Sequence, residues 1–151
     1  MTKKKKVLAV ASGGGHWVQL MRLKTAFQGA DVTYMSTNSS FAIDVPGATL
    51  VTVPDANIWE KVAMAKMFAA VFVKVAMIRP DVVVTTGAAP GLAALMVSKL
   101  FGARTMWIDS IANSEQLSGS GKVAKHFADV WLTQWEHLAV DTGPQYWGGV
   151  L

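Results

Sequence analysis

Three glycines followed by a histidine, Ser12-Gly13-Gly14-Gly15-His16, are the segment of this chain best equipped for chemistry. Adjacent glycines let the backbone turn sharply and leave amide N–H groups uncovered by side chains. At the mouth of a helix, such amides and the positive end of the helix dipole suit a phosphate or a developing negative charge. An imidazole beside them is placed to exchange a proton with whatever binds there. A second turn, Thr85-Thr86-Gly87-Ala88-Ala89-Pro90-Gly91, sets Pro90 and Gly91 near a helix start and offers another group of free amides. Asp109-Ser110 ends a further apolar run, where the carboxylate either takes part in chemistry or anchors a neighbouring loop.

These positions make sense only if specific elements hold them. Apolar, β-branched-rich runs recur at Val7–Ala11, Val32–Ser36, Thr49–Val53, Val82–Thr86, Thr105–Asp109 and Val130–Thr133. Helical patterns lie between most of them, at Trp17–Ala30, Ile58–Ile78, Ala89–Phe101 and near Lys122–Phe127. Alternation of this kind predicts right-handed βαβ units and a mostly parallel sheet covered on both faces. The expected fold is α/β, a Rossmann-like doubly wound sheet in one domain over residues 1–151, with residues 1–6 as a basic tail. Its site is expected along the carboxyl ends of the strands, where Ser12–His16, Ser36–Ser40, Thr85–Gly91 and Asp109–Lys122 all fall. The last of these, rich in Gly and Ser, reads as an active-site loop or an ordinary surface loop.

Several familiar chemistries are excluded. A dinucleotide fingerprint needs a third glycine where Val18 stands, and no acidic residue closes the second strand. Gly119-Ser120-Gly121-Lys122 is followed by Val123, so it is no phosphate-loop ATPase motif. The same segment lacks the spacing and preceding strand of a serine-hydrolase elbow. The three histidines are scattered and no Asp-x-Asp occurs, so no metal is expected.

Composition narrows the setting. Hydrophobic residues make up 52% and charged residues 16%, which excludes a disordered chain and leaves apolar surface for a partner or membrane. The absence of cysteine and of a cleavage site after Lys3-Lys4-Lys5-Lys6 leads to the expectation of an intracellular protein. That lysine run reads first as a solvated tail and second as an attraction to anionic lipid; no basic stripe accompanies it to support nucleic acid. The Ile58–Ile78 helix is apolar around most of its circumference, with Lys66 and Lys74 beside Met67 and Met77 as its polar side. It reads as a helix buried against the sheet, as one lying in a membrane interface, or as a partner contact.

Taken together, SGGGHWVQLMRL, RPDVVVTTGAAPGLAALMVSKLFGARTMWIDSIA, and SGSGKVAKHFADVWLTQWEHLA followed by YWGGVL resemble the acceptor-binding subunit of split inverting glycosyltransferases of the GT-B fold. That family includes the membrane-associated half of the N-acetylglucosaminyltransferase of N-glycan assembly and bacterial capsule and exopolysaccharide homologues. The glycine–histidine loop also resembles that of the single-chain glucosaminyltransferase acting on the peptidoglycan lipid intermediate. Asp109 stands where a glutamate is common in the family, and Asn113 where an arginine often follows. The N-terminal membrane helix of the eukaryotic forms is not seen here, which favours a bacterial homologue.

The resemblance implies one half of a GT-B enzyme, with the nucleotide sugar bound by a separate partner and a polyprenyl-diphosphate-linked sugar as acceptor. It implies no cofactor, and a peripheral position on the cytoplasmic face of the inner membrane. His16 becomes the leading candidate for catalytic base or acceptor-orienting group, and Asp109 the second. Ser12, Gly13, Gly14, Gly15, Thr86, Gly87, Ala88, Pro90, Gly91 and Ser110 are the candidate acceptor and diphosphate contacts. Lys66, Met67, Lys74, Met77, Gln134 and Trp135 are the candidate partner or membrane contacts. Two other roles stay open: a scaffold that docks its partner to the membrane, or a stand-alone Rossmann-type nucleotide-binding enzyme.

Overall fold

A computed structural model describes residues 3–57 and 59–150. Seven parallel strands form one sheet in the order β3-β2-β1-β4-β5-β6-β7. They are β1 (Lys6–Val10), β2 (Asp31–Ser36), β3 (Thr49–Thr52), β4 (Val82–Thr85), β5 (Arg104–Ile108), β6 (Val130–Thr133) and β7 (Gln145–Tyr146). Four α-helices join them: α1 (Gly15–Arg22), α2 (Lys61–Ile78), α3 (Ala89–Leu100) and α4 (Gly119–Ala124). The doubly wound expectation holds, and the sheet is parallel throughout the described residues. β7 was not anticipated, because two residues, Gln145 and Tyr146, are too short a run to leave a periodic signal.

Alternation along each strand sends residues to two cores. Leu8 and Val10 of β1, Met35, Val83 and Trp107 pack with α2, α3 and Ala124 of α4. Ala9, Ala11 and Tyr34 pack with Trp17 and Leu20 of α1. The chain leaves β1 towards β2 on one side and β4 towards β5 on the other, so the order of the sheet reverses between β1 and β4. A crevice opens at such a reversal, between the loops that follow the two strands. Those loops are the two glycine turns.

Three helix boundaries differ from expectation, each for a local reason. The Trp17–Ala30 pattern divides into α1 and a 3-10 turn at Lys24–Phe27, after which Gly29 takes φ 84° and redirects the chain. The helix expected from Ile58, which lies outside the described residues, begins at Lys61. Asn57 accepts the Trp59 amide with its side chain and the Glu60 amide with its carbonyl, bonds that tie Trp59 and Glu60 back to Asn57 just ahead of the helix. The last helix starts earlier than expected, at Gly119, because Ser118 caps it by accepting the Gly121 amide at 2.9 Å.

α2 settles against the sheet through Met67, Val71 and Val75, one residue every turn, all fully buried. Met67 is therefore a core residue and not a membrane or partner contact; it sits a quarter-turn from Lys66, on the stripe buried in the core shared with α3 and the strands. The outward arc carries Val62, Lys66, Phe72, Val73 and Met77, all exposed, with Lys74 half-buried at its edge. Among the described residues no helix is long and apolar enough to cross a membrane.

Candidate active site

The two glycine turns are stitched to each other. His16 Nδ1 lies 2.9 Å from the Thr86 carbonyl oxygen, and Thr86 Oγ1 donates to the His16 carbonyl oxygen at 2.7 Å. The Ser12 amide donates to the Gly87 carbonyl oxygen at 3.0 Å. A carbonyl oxygen only accepts, so Nδ1 must carry the proton. In the neutral form of the ring this leaves Nε2 as the acceptor nitrogen, the one that can take a proton. Gly87 makes this approach possible. Its φ is 112°, and a Cβ there would fall 2.7 Å from His16 Nδ1.

Neither helix that opens on this crevice has a side-chain cap: Gly14 precedes α1 and Ala88 precedes α3. Their first-turn amides are left to other acceptors, and Pro90 fits the first turn of α3 because it has no amide to leave. A cavity of about 610 Å³ lies beside His16, walled by Thr86, Gly87, Ala88, Asp109, Asn113 and Ser120 among others. A second cavity of about 430 Å³ adjoins it through Ala88 and Ser120 and reaches Ser12, Gly13 and Pro90. Gly14 and Gly15 lie exposed at the turn itself. A charged, phosphate-bearing ligand could lie across both spaces, facing the amides of two helix starts. Among the described residues, no three His, Asp or Glu side chains gather as a metal-binding group.

Asp109 turns out to hold a loop. It is 1% exposed, and its oxygens accept from Trp107 Nε1 (3.0 Å), Ser118 Oγ (2.6 Å), the Ser118 amide (3.0 Å) and Asn113 Nδ2 (3.4 Å). A carboxylate engaged by four donors has a structural task of its own, so Asp109 stays behind His16 as a candidate base. It ties the start of the 110–118 loop to the cap of α4.

Four further candidates have partners within the fold. Ser110 Oγ accepts from Gln19 Nε2 at 3.1 Å and from the Ala112 amide at 3.2 Å, so it points towards α1 and not into the cavity. Gly91 is required by packing, since a Cβ would fall 2.0 Å from Thr85 Oγ1. Gln134 is 5% exposed and consumed internally, donating to Gln19 Oε1 at 2.6 Å and accepting the Val150 amide at 2.7 Å. Trp135 donates its indole N–H to the Ile111 carbonyl at 2.7 Å. Both residues therefore brace the site loop and the C-terminal segment. Asn113, Ser118 and Ser120 come from the Asp109–Lys122 segment and line the cavity, while Asp55 was not anticipated there. Ser118 carried a signal of its own, a serine immediately before a helix start.

The sequence of residues 46–151 matches the family model described as "Oligosaccharide biosynthesis protein Alg14 like". No curated protein matches the sequence. Among solved structures, MurG of Acinetobacter baumannii superposes with a TM-score of 0.76 at 13% identity, over 93% of this chain and 44% of that one. UDP-N-acetylglucosamine 2-epimerase of Rickettsia bellii gives 0.67 at 14% identity, over 89% and 40%. A glycosyltransferase of Rickettsia africae gives 0.58 at 13% identity, over 82% and 34%. The chain thus spans less than half the length of these structures, and its sheet corresponds to one Rossmann-like half of the GT-B fold. With the family model covering most of its length, the chain belongs to the Alg14-like oligosaccharide biosynthesis proteins.

Proposed function

We propose that this chain is the acceptor-binding subunit of a two-component inverting glycosyltransferase of exopolysaccharide or glycan assembly. The observation that carries this reading is His16, with Nδ1 committed to the Thr86 carbonyl beside two uncapped helix starts, which leaves Nε2 as the nitrogen available to the acceptor. The diphosphate of a polyprenyl-diphosphate-linked sugar lies against those amides. The acceptor hydroxyl gives its proton to Nε2 as its oxygen bonds to the anomeric carbon of the donor. The bond from that carbon to the nucleotide breaks on the opposite face, and the nucleoside diphosphate leaves. The donor is held by a separate nucleotide-sugar-binding subunit, which supplies the other Rossmann-like half. Co-expression with such a subunit, followed by assay on a polyprenyl-diphosphate-linked sugar, is expected to give transfer only when both chains are present. Turnover by the purified chain alone overturns this reading.

The outward arc of α2 supports peripheral attachment to the cytoplasmic face of the inner membrane. Residues 61–79 carry Lys61, Lys66, Lys74 and Arg79 and no acidic residue, around exposed Val62, Phe72, Val73 and Met77. An in-plane helix lets lysine heads reach lipid phosphates while apolar side chains enter the acyl boundary. Val73→Glu with Met77→Glu, both at exposed positions, is expected to abolish flotation with anionic liposomes while the protein stays folded. Flotation equal to wild type places the membrane contact elsewhere.

A further inference from the structure

At the opposite edge of the sheet, where β1 and β2 begin, lies a separate open cavity of about 540 Å³. Lys3, Lys4 and Lys6 line it from the approach to β1, and Lys24 from the turn after α1. Asp31 is the one carboxylate on its wall among the described residues, so positive charge dominates. Lys24 is held in place by donating to the Asp44 carbonyl oxygen at 2.8 Å.

Surface lysines alone would be an ordinary solvated cluster. Tyr34 makes the difference. It is only 4% exposed, its ring set edge-on to Trp17 at 6.1 Å, yet it lines this cavity. Its hydroxyl makes no hydrogen bond within the described residues and is not among the sealed-off polar atoms, so it opens to the cavity as a free donor on an otherwise buried ring. Burial also pushes its pKa up, which keeps the phenol protonated and able to donate.

We propose that this cavity is an anion site for a phosphorylated ligand, with Tyr34 donating to a phosphoryl oxygen and the lysines balancing its charge. A phosphoryl group suits the wall better than a carboxylate. It brings more acceptor oxygens and more negative charge to several convergent donors. The same group occurs on soluble phosphates and on anionic lipid headgroups. The inference does not depend on the sugar-transfer reading, since the site lies at the other end of the strands.

The test uses the full chain in two arms. In the first, inorganic pyrophosphate is titrated while the amide resonances of Asp31, Gly47 and Thr49 are followed; in the second, partition onto phosphatidylglycerol vesicles is compared with phosphatidylcholine. Tyr34→Phe keeps the ring and its packing, and equal melting temperature confirms the fold. It is expected to weaken binding at least three-fold in one or both arms, and Lys3→Ala with Lys4→Ala to weaken it further. Loss in the pyrophosphate arm identifies a soluble phosphate, and loss in the vesicle arm alone a lipid headgroup. Binding in both arms that ignores Tyr34→Phe, or shifts confined to the glycine turns, overturns the proposal.

Discussion

In the proposed two-subunit enzyme, His16→Ala is expected to lower kcat by about 10²–10⁴-fold, the contribution of one positioned base. Stability should change little, because the half-buried ring makes one hydrogen bond, to the Thr86 carbonyl at 2.9 Å. KM for the proposed lipid-linked acceptor should also change little, since the amides proposed to hold its diphosphate are left in place by the substitution. His16→Asn separates the two roles open to the ring. An asparagine amide can still donate towards Thr86 but offers no basic nitrogen, so it should be as inactive as the alanine variant. Gly87→Ala attacks the same geometry from the other side, because its Cβ would fall 2.7 Å from Nδ1 and push the ring away. It should depress kcat with His16 intact. Recovery of activity in His16→Asn would make the ring a positioning group and send the search for the base to another wall residue, Asp55 first.

What the sequence discloses and what it hides divide along a physical line. The loops after β1 and β4 are legible because apolar runs that stop at glycines leave few alternatives to a strand and a turn. Their convergence is also legible, since parallel connectivity fixes which ends of the strands share an edge. The orientation of α2 is not. A helix apolar on every side has no period to decide which stripe is buried, and the neighbouring lysines drew Met67 to the wrong side. Contacts between distant residues are equally hidden. Nothing local announces that Gln19 and Gln134, 115 positions apart, share a buried hydrogen bond that braces the loop after β5. Asp109 illustrates the same limit. Its position at the end of a strand was readable, while the donors that decide its role arrive from Asn113 and Ser118.

Asp109→Asn is expected to cost stability first and activity only as a consequence. Fixed N–H donors meet both carboxylate oxygens: Trp107 Nε1 at Oδ1 and the Ser118 amide at Oδ2. Whichever way an asparagine turns, its NH₂ faces a donor that cannot become an acceptor. There is no room to step aside, for a Cβ on Gly121 would already fall 2.3 Å from Oδ1. Leaving one buried donor unmatched and replacing charged hydrogen bonds with neutral ones costs about 2–4 kcal/mol together. For a chain of this size that corresponds to a fall in Tm of roughly 4–16 °C, taking about 2–4 °C per kcal/mol. The loop from Ile111 to Leu117 would then loosen, the cap of α4 with it, and KM for the acceptor should rise more than kcat falls. Thermal unfolding of the single chain and steady-state kinetics of the complex measure the two parts separately. An unchanged Tm with kcat abolished would put Asp109 in the chemistry and leave its four donors as the contacts that position the carboxylate.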